Sequence, residues 1–252
     1  NVHSESQGEP IGMEIRAQAF AFSTNDEVNN MTFHNYVLIN QGTQTLSNTY
    51  FGVWVDADVG TATDDYVGCD VQRGLGYSYN GDAVDEPSNS SIGYGENPPA
   101  VGIDFFEGPY QDSDSIDNPL TTNFGNAIDS LGIPYEGIGI GYGDGIVDNE
   151  RFGMRRFVYY NNSNNPINGE PATPLHFYNY MNGVWKNGQK MAYGGDGVNA
   201  STGANLDVSC DYMFPGDTDP FNWGTGGTTA EPWTEVTSGN PPADRRFIQA
   251  AG

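Results

Sequence analysis

The segment Phe51–Asp70 begins with the spacing of a β-strand and ends in a stretch crowded with carboxylates. Phe51, Val53 and Val55 lie two residues apart, as in a strand with one buried face. Negative charges repel one another at short range unless a cation lies between them. The segment therefore predicts either a loop ordered by a metal ion or a solvated acidic loop. Its carboxylates are five aspartates within fifteen residues: Asp56, Asp58, Asp64, Asp65 and Asp70.

Aromatic and apolar residues within the acidic segment favour the metal ion, because they imply that part of the loop is buried. Trp54 precedes the aspartates, and Tyr66, Val67 and Cys69 interrupt them. Ligand sets made only of oxygen favour Ca²⁺ or Mg²⁺, and a mixture of carboxylates and carbonyls suits the larger ion. Gly60 would let the backbone turn sharply between the acids. The predicted Ca²⁺ ligands are the side chains of Asp56, Asp58, Asp64 and Asp65, with backbone carbonyls from residues 59–63.

A second acidic segment, IGIGYGDGIVDNE at positions 138–150, is similar to the latter half of a calcium loop. Asp144 and the following glycine come before Asp148 and Glu150, but the upstream acidic half of such a loop is missing. These three side chains are predicted as calcium ligands. The alternative is a plain acidic turn neutralised by the arginines that follow it, Arg151, Arg155 and Arg156.

The composition and the alternation of apolar residues predict a mainly β fold. Aromatic residues make up 13% of the chain and glycines number 34, which is typical of short strands joined by turn-rich loops. Met13–Phe22 and Met31–Asn40 both alternate and are separated by a polar turn. We expect an antiparallel β-sandwich core, Ig-like or jelly-roll-like, with long loop insertions and at most one or two short helices. The best helix candidate is Pro174–Trp185, which Gly183 would end.

The whole chain, residues 1–252, is expected to form a single β-rich extracellular domain. Its predicted parts are an N-terminal arm (1–12), first-sheet hairpins with the acidic loop (13–70), a loop-rich insertion (71–150) and the second part of the core (151–252). The residues before the first strand are not expected to be a signal peptide. The final segment PPADRRFIQAAG begins a strand without a polar cap, so we expect a fragment of a longer chain.

The charge balance restricts the possible partners. The chain has 9 Lys+Arg against 33 Asp+Glu, a formal net charge of −24. Nucleic acid is a poor partner, because binding it requires Lys and Arg to neutralise phosphates. No apolar run approaches the roughly 20 residues of a membrane span, so no membrane insertion is expected. The partners predicted instead are further copies of the chain, other surface proteins or glycans.

The two cysteines, Cys69 and Cys210, lie far apart in the sequence, and each precedes an aspartate. An extracellular protein with two cysteines often pairs them, and such a bridge would close a long loop. We predict a Cys69–Cys210 disulfide if the protein is extracellular. The alternative is a pair of buried free thiols.

Several stretches together carry a family resemblance, in the same order over nearly the whole chain. They include NTYFGVWVDADVGTATDDYVGCDVQRGLGYSYNGD, NPPAVGIDFFEGP, RRFVYYNN, YMFPGDTDP and GNPPADRRFIQAAG. These stretches resemble large secreted surface proteins of Bacteroidota that end in a type IX secretion sorting domain. The resemblance implies export to the cell surface or the medium and implies no enzymatic activity. Ser115 and Ser130 stand in Asp-Ser-apolar triplets similar to the O-glycosylation sites of exported proteins in this phylum.

The sequence favours a non-catalytic function, because no motif of a known catalytic site is present. The leading hypothesis is an extracellular structural or interaction module, stabilised by calcium, that could form a surface filament or layer. A carbohydrate-binding or adhesion domain that uses exposed tryptophans is the alternative. A glycan hydrolase with Asp104 and Glu107 as paired carboxylates is less favoured, since such acids usually come from separate strands. The tryptophans considered for sugar binding are Trp185, Trp223 and Trp233.

Overall fold

The computed structural model describes residues 4, 6–88, 91–119, 137 and 139–252. The chain divides into two compact units, Asn1–Asn48 and Thr49–Gly252. The fold is mainly β, with antiparallel sheets and two short helices among the described residues, as the composition predicts. The division into parts 1–12, 13–70, 71–150 and 151–252 stays a prediction. The boundary between the two compact units lies after residue 48.

The first unit contains one antiparallel hairpin, in which Met13–Ala21 (β1) pairs with Thr32–Asn40 (β2). Both strands were predicted from their alternation, and they run in register from the Met13–Asn40 pair to the Ala21–Thr32 pair. A short 3₁₀ turn leads into β2, and Asp26 caps it by accepting a hydrogen bond from the Val28 N–H at 3.2 Å. The hairpin follows directly from the sequence, because its pairing is local.

The described residues of the second unit form two three-stranded antiparallel sheets and two short strand pairs. One sheet has the order β3-β12-β9 and the other the order β4-β5-β8, while β6 pairs with β7 and β10 with β11. The sheet β3-β12-β9 joins the start of this unit to the end of the chain. The strands are Phe51–Val55 (β3), Asp65–Asp70 (β4), Leu75–Asn80 (β5), Val84–Asp85 (β6), Gly95–Glu96 (β7), Ala100–Asp104 (β8), Arg156–Asn161 (β9), Ala192–Tyr193 (β10), Asn205–Ser209 (β11) and Arg245–Ala251 (β12).

The two three-stranded sheets meet where Gly76 of β5 lies against Phe157 of β9 and Phe247 of β12. A Cβ at Gly76 would come within 2.8 Å of both rings, so only glycine allows this close approach. Around this contact the core is built largely from aromatic side chains and methionines, and includes the stacked pair Tyr160 and Tyr180 with centroids 5.2 Å apart. The Ig-like or jelly-roll-like sandwich topology stays a prediction.

The two helices are Pro174–Met181 (α1) and Glu235–Ser238 (α2). Thr173 caps α1 by accepting a hydrogen bond from the His176 N–H at 3.3 Å, and Pro174 fits the first turn, where its missing N–H costs nothing. The predicted helix extended to Trp185, but it ends at Met181, because the chain turns through Gly183 at φ +69°.

A buried ion pair connects α2 to both sheets. The side chains of Glu235 and Arg245 are 0% and 6% exposed, and Nη2 of Arg245 lies 2.8 Å from Oε2 of Glu235. Oε1 of Glu235 accepts a hydrogen bond from the Val67 N–H of β4 at 2.9 Å, and Arg245 also donates to the Asn161 side chain of β9. A charge pair with its remaining hydrogen bonds satisfied in this way fixes the geometry around it.

We predict that Glu235→Gln lowers the free energy of unfolding by about 3–5 kcal/mol, because it leaves the buried Arg245 guanidinium without a countercharge. Urea unfolding followed by tryptophan fluorescence measures the change. The matched control is Glu14→Gln, the same substitution in the exposed pair of Glu14 with Arg16, which should leave the midpoint unchanged. A wild-type midpoint for Glu235→Gln would show that the pair does not hold the sheets.

Candidate functional site

The acidic loop joins two different sheets, and its aspartates separate accordingly. Asp56 and Asp58 follow β3, and one oxygen of each lies with one oxygen of Asp244 in a group whose members are all within 4.8 Å of one another. Nη2 of Arg246, on β12, lies 3.0 Å from Oδ2 of Asp56, and its Nη1 lies 3.5 Å from Oδ1 of Asp244. A guanidinium therefore already balances part of the charge in this group. Asp64 and Asp65 are not members of it, so the structure does not assemble the four predicted ligands as one set.

Asp65 begins β4 and is almost completely buried, with 1% of its surface exposed. Its Oδ2 accepts a hydrogen bond from the Val59 N–H at 2.9 Å, while Oδ1 is buried without a hydrogen-bond partner. Burial raises the pKa of Asp65 to about 7, and the negative charges of Asp64, Asp58 and Asp85 add to this effect. A carboxylate in this position requires either a proton or a cation near physiological pH.

Asn80 lies directly across from Asp65 in the β4–β5 pair. It is 6% exposed, and its Nδ2 donates to the carbonyls of Asp82 and Val84, both at 3.2 Å. Its Oδ1 is buried without a donor, and so is Oδ1 of Asp64. Three buried side-chain oxygens on adjacent residues therefore lack a hydrogen-bond donor at the start of this strand pair.

Asp85 accepts a hydrogen bond from the acidic loop and was not predicted from the sequence as part of the site. Its side chain is fully buried, and its two oxygens accept hydrogen bonds from the Thr61 N–H at 3.0 Å and the Tyr94 N–H at 2.6 Å. Gly60 turns above it at φ +76°, and a Cβ there would lie 1.6 Å from Oδ2 of Asp85. The glycine is therefore required by close approach as well as by its dihedral angle.

The second acidic segment packs against a loop that the sequence did not link to it. Oδ1 of Asp148 accepts from the N–H groups of Asp114 and Ser115 at 2.7 and 2.9 Å, and Oε1 of Glu150 accepts from the Asn118 N–H at 2.5 Å. Asp144 accepts from the Ile146 N–H at 2.8 Å. These bonds use at least one oxygen of each predicted ligand to hold the two loops together. A calcium role for Asp144, Asp148 and Glu150 stays a prediction.

The arginines offered as an alternative to calcium make ion pairs elsewhere. Arg151 lies 3.1 Å from Glu107, while Arg155 and Arg156 lie 2.9 and 3.3 Å from Asp211. Among the described residues, the recorded salt bridges involve none of the three predicted ligands of this segment.

Cys69 and Cys210 are buried free thiols in the structure rather than the predicted disulfide. Both approach Met213: the Cys69 thiol donates to its backbone carbonyl at 3.3 Å, and Sγ of Cys210 lies 3.9 Å from its sulfur. Burial raises the pKa of each thiol well above its usual range. The core around Met213 thus accommodates the two cysteines as apolar side chains.

The tryptophans considered for sugar binding lie in the core, and Glu107, considered for hydrolysis, lies in an ion pair. The expectation that Trp185, Trp223 and Trp233 are exposed is wrong, because each is at most 4% exposed and lies in the core. Glu107 forms its ion pair with Arg151, and burial together with the charge of Asp70 raises the pKa of Asp104. Ser115 lies in an exposed loop, whereas Ser130 falls outside the described residues, so both glycosylation sites stay predictions.

Comparison with known proteins gives no relative on which a function could be based. No family model matches the sequence, and neither the curated proteins nor the solved structures contain a match. Within the described part of the chain, no helix has both the length and the apolar character needed to cross a bilayer.

The raised pKa of Asp65 predicts how stability depends on pH. The folded state holds this proton up to about pH 7, whereas an unfolded aspartate loses it near pH 4. The folded state thus binds more protons between these values, so stability falls as the pH rises through this range, by up to about 4 kcal/mol. Thermal melting from pH 4 to pH 8 in excess EGTA should show the fall, and Asp65→Asn should flatten it. An equally steep profile in Asp65→Asn would contradict this assignment.

The free thiols predict a simple labelling result. In native protein without reductant, iodoacetamide should label neither cysteine, because both are buried and protonated. After unfolding in urea, again without reductant, both should be labelled. Intact mass spectrometry counts the labels, and a reduced sample serves as the control. Labelling of the unfolded chain only after reduction would instead establish the disulfide.

Proposed function

We propose that this protein is a non-catalytic extracellular structural or interaction module, stabilised by calcium, that associates with further copies of itself at the cell surface. The family resemblance to exported Bacteroidota proteins supports the location. A filament or layer is the form of assembly that we infer. The observation that carries the proposal is the exposure of the β1–β2 hairpin.

The hairpin exposes apolar side chains on both of its faces. Ile15 and Tyr36 lie on one face and are 60% and 45% exposed; Phe20 and Val37 lie on the other and are 42% and 46% exposed. A soluble hairpin normally covers one face with a core, and a two-stranded hairpin by itself is marginally stable in water. Apolar side chains on both faces therefore favour a partner that covers the hairpin.

The hairpin also has free edges. It is a two-stranded sheet, so β1 and β2 each pair on one side only within the described residues. Unpaired strand edges are ready templates for pairing with another strand, and proteins usually protect them with charges, prolines or bulges. The paired residues from Met13 to Asn40 include no proline and no register shift. Addition of a strand at such an edge is a common mode of protein recognition.

Charge favours a second copy of the chain as the partner. Apart from His34, which is counted as neutral, the two strands carry one acid and one base, Glu14 and Arg16, which pair with each other at 2.6 Å. The strands are thus neutral in a chain of net charge −24, so two copies can meet there with little of the repulsion that separates them elsewhere. If the hairpin of one copy meets a different surface of the next, and the rotation between copies does not close a ring, a filament grows.

Self-association through the hairpin can be tested by changing one residue on each face. Ile15→Glu and Phe20→Glu should each weaken the association constant about tenfold or more, because each places an unpaired carboxylate in an apolar contact. Sedimentation velocity over a range of protein concentrations measures the constant. Negative-stain electron microscopy of the wild-type protein shows whether the assemblies are closed or filamentous.

The matched control is Leu206→Glu, which changes an equally exposed apolar strand residue outside the hairpin. This variant should associate like the wild type. A wild-type protein that stays monomeric at the highest concentration would contradict the proposal, as would an equal loss in the Leu206 variant.

A further inference from the structure

We propose that Asp64, Asp65 and Asn80 bind a divalent cation, Ca²⁺, at the start of the β4–β5 strand pair. This inference rests on the calcium part of the proposed function and is independent of the hairpin. The proposed site does not include Asp56 and Asp58, which the sequence predicted as ligands. It includes the amide oxygen of Asn80, which the sequence did not predict.

The principal observation is a buried carboxylate oxygen that nothing donates to. Asp65 is 1% exposed, and its Oδ1 has no hydrogen-bond partner, although its Oδ2 is fixed by the Val59 N–H at 2.9 Å. The large majority of buried polar side-chain atoms in folded proteins are hydrogen-bonded, and an unpaired buried charge is especially costly. The free oxygen therefore requires a ligand or a proton.

The second and independent observation is that two further side-chain oxygens, one on Asn80 and one on Asp64, are buried without a hydrogen-bond donor. Asn80 is the cross-strand partner of Asp65 and is 6% exposed. Its amide nitrogen donates to two carbonyls, which orients the side chain and leaves Oδ1 without a donor. Oδ1 of Asp64 is likewise buried and unpartnered. None of these three acceptors has a donor from the protein, and oxygens of this kind are the ligands that a hard cation binds.

The surrounding charge selects a cation. Asp85 is fully buried and accepts a hydrogen bond from the Thr61 N–H of the loop, so it adds a third carboxylate to those of Asp64 and Asp65. Among the described residues, the recorded salt bridges include none to Asp64, Asp65 or Asp85. The Asp56–Asp58–Asp244 group differs in this respect, because Arg246 forms ion pairs with it.

The ligand chemistry selects Ca²⁺ among the common divalent ions. Two carboxylates and an amide oxygen are hard donors, and no sulfur or imidazole belongs to the set, which disfavours zinc. Ca²⁺ accepts 6–8 oxygens in flexible geometry, so solvent can complete the shell, whereas Mg²⁺ demands a near-ideal octahedron. The alternative to the ion is a proton on Asp65 donated to Asn80.

Terbium luminescence and calcium-dependent melting test the proposal on the full chain at pH 7.5. Tb³⁺ replaces Ca²⁺ and is excited by nearby tyrosines, and Tyr66 and Tyr79 flank the site with ring centroids 5.8 Å apart. We expect sensitised emission that added Ca²⁺ displaces. At a hundredfold excess over Kd, Ca²⁺ should raise the melting temperature by about 5–10 °C relative to EGTA. Mg²⁺ at the same concentration should give a smaller shift.

Asp65→Asn should abolish both the emission and the melting shift while keeping the fold, because the new amide can donate to Asn80. If that variant fails to fold, Asn80→Leu provides the same test from the opposite strand. The matched control is Asp58→Asn, the same substitution in the same loop, which should retain at least about half of both responses. Loss of the responses in Asp58→Asn but not in Asp65→Asn would overturn the proposal.

A wild-type melting temperature that ignores both Ca²⁺ and EGTA at pH 7.5 would also overturn it, in favour of a proton or a buried water at Asp65. Neither result would affect the hairpin, whose test is the association constant. Failure of the cation site and failure of self-association are therefore distinguishable.

Discussion

The buried contact between Glu235 and Arg245 determines how the rest of the larger unit can be arranged. A charge removed from water is tolerated only where its partner and the remaining hydrogen bonds are fixed, so the pair admits few arrangements around it. Glu235 accepts from the Val67 N–H of β4, and Arg245 opens β12 and donates to Asn161 of β9. One ion pair thus connects a short helix, the sheet β4-β5-β8 and the sheet β3-β12-β9.

This connection explains why the acidic loop is divided. The loop leaves β3 in one sheet and enters β4 in the other, so its two ends face different neighbours. Asp56 and Asp58 meet Asp244 and Arg246 beside β12, where an arginine supplies positive charge. Asp65 meets Asn80 on β5, where the recorded contacts supply none. The same residue type therefore has two electrostatic environments within a ten-residue segment. Among the described residues, a salt bridge is found only in the first of them.

The sequence predicts the local features of this fold and misses those that depend on distant pairing. Alternation identified β1 and β2 because the hairpin is closed by a nearby turn. The strand Leu75–Asn80 was missed, because Gly76, Ser78 and Asn80 are residue types common in turns. Gly76 is there to admit the rings of Phe157 and Phe247. The burial of Trp185 and Trp233 was missed, because it depends on tertiary packing such as the contacts of Trp185 with Tyr159 and of Trp233 with Phe214. Neither Asn80 nor Asp85 could be assigned to the acidic site without the strand pairing.

The net charge of −24 links the two proposals through one physical requirement. Copies of such a chain repel each other over about a Debye length, roughly 8 Å at physiological ionic strength, so close contact needs either a neutral surface or bound cations. The hairpin strands provide the neutral surface, since their only charges cancel. At the proposed Asp64–Asp65–Asn80 site, a bound cation would reduce the charge and at the same time fix the loop that joins the two sheets. Under these proposals, divalent ions would act on stability through this loop and on association through the reduction in repulsion. The two effects should differ in their salt dependence. Monovalent salt screens the repulsion between copies but does not replace a ligated divalent ion.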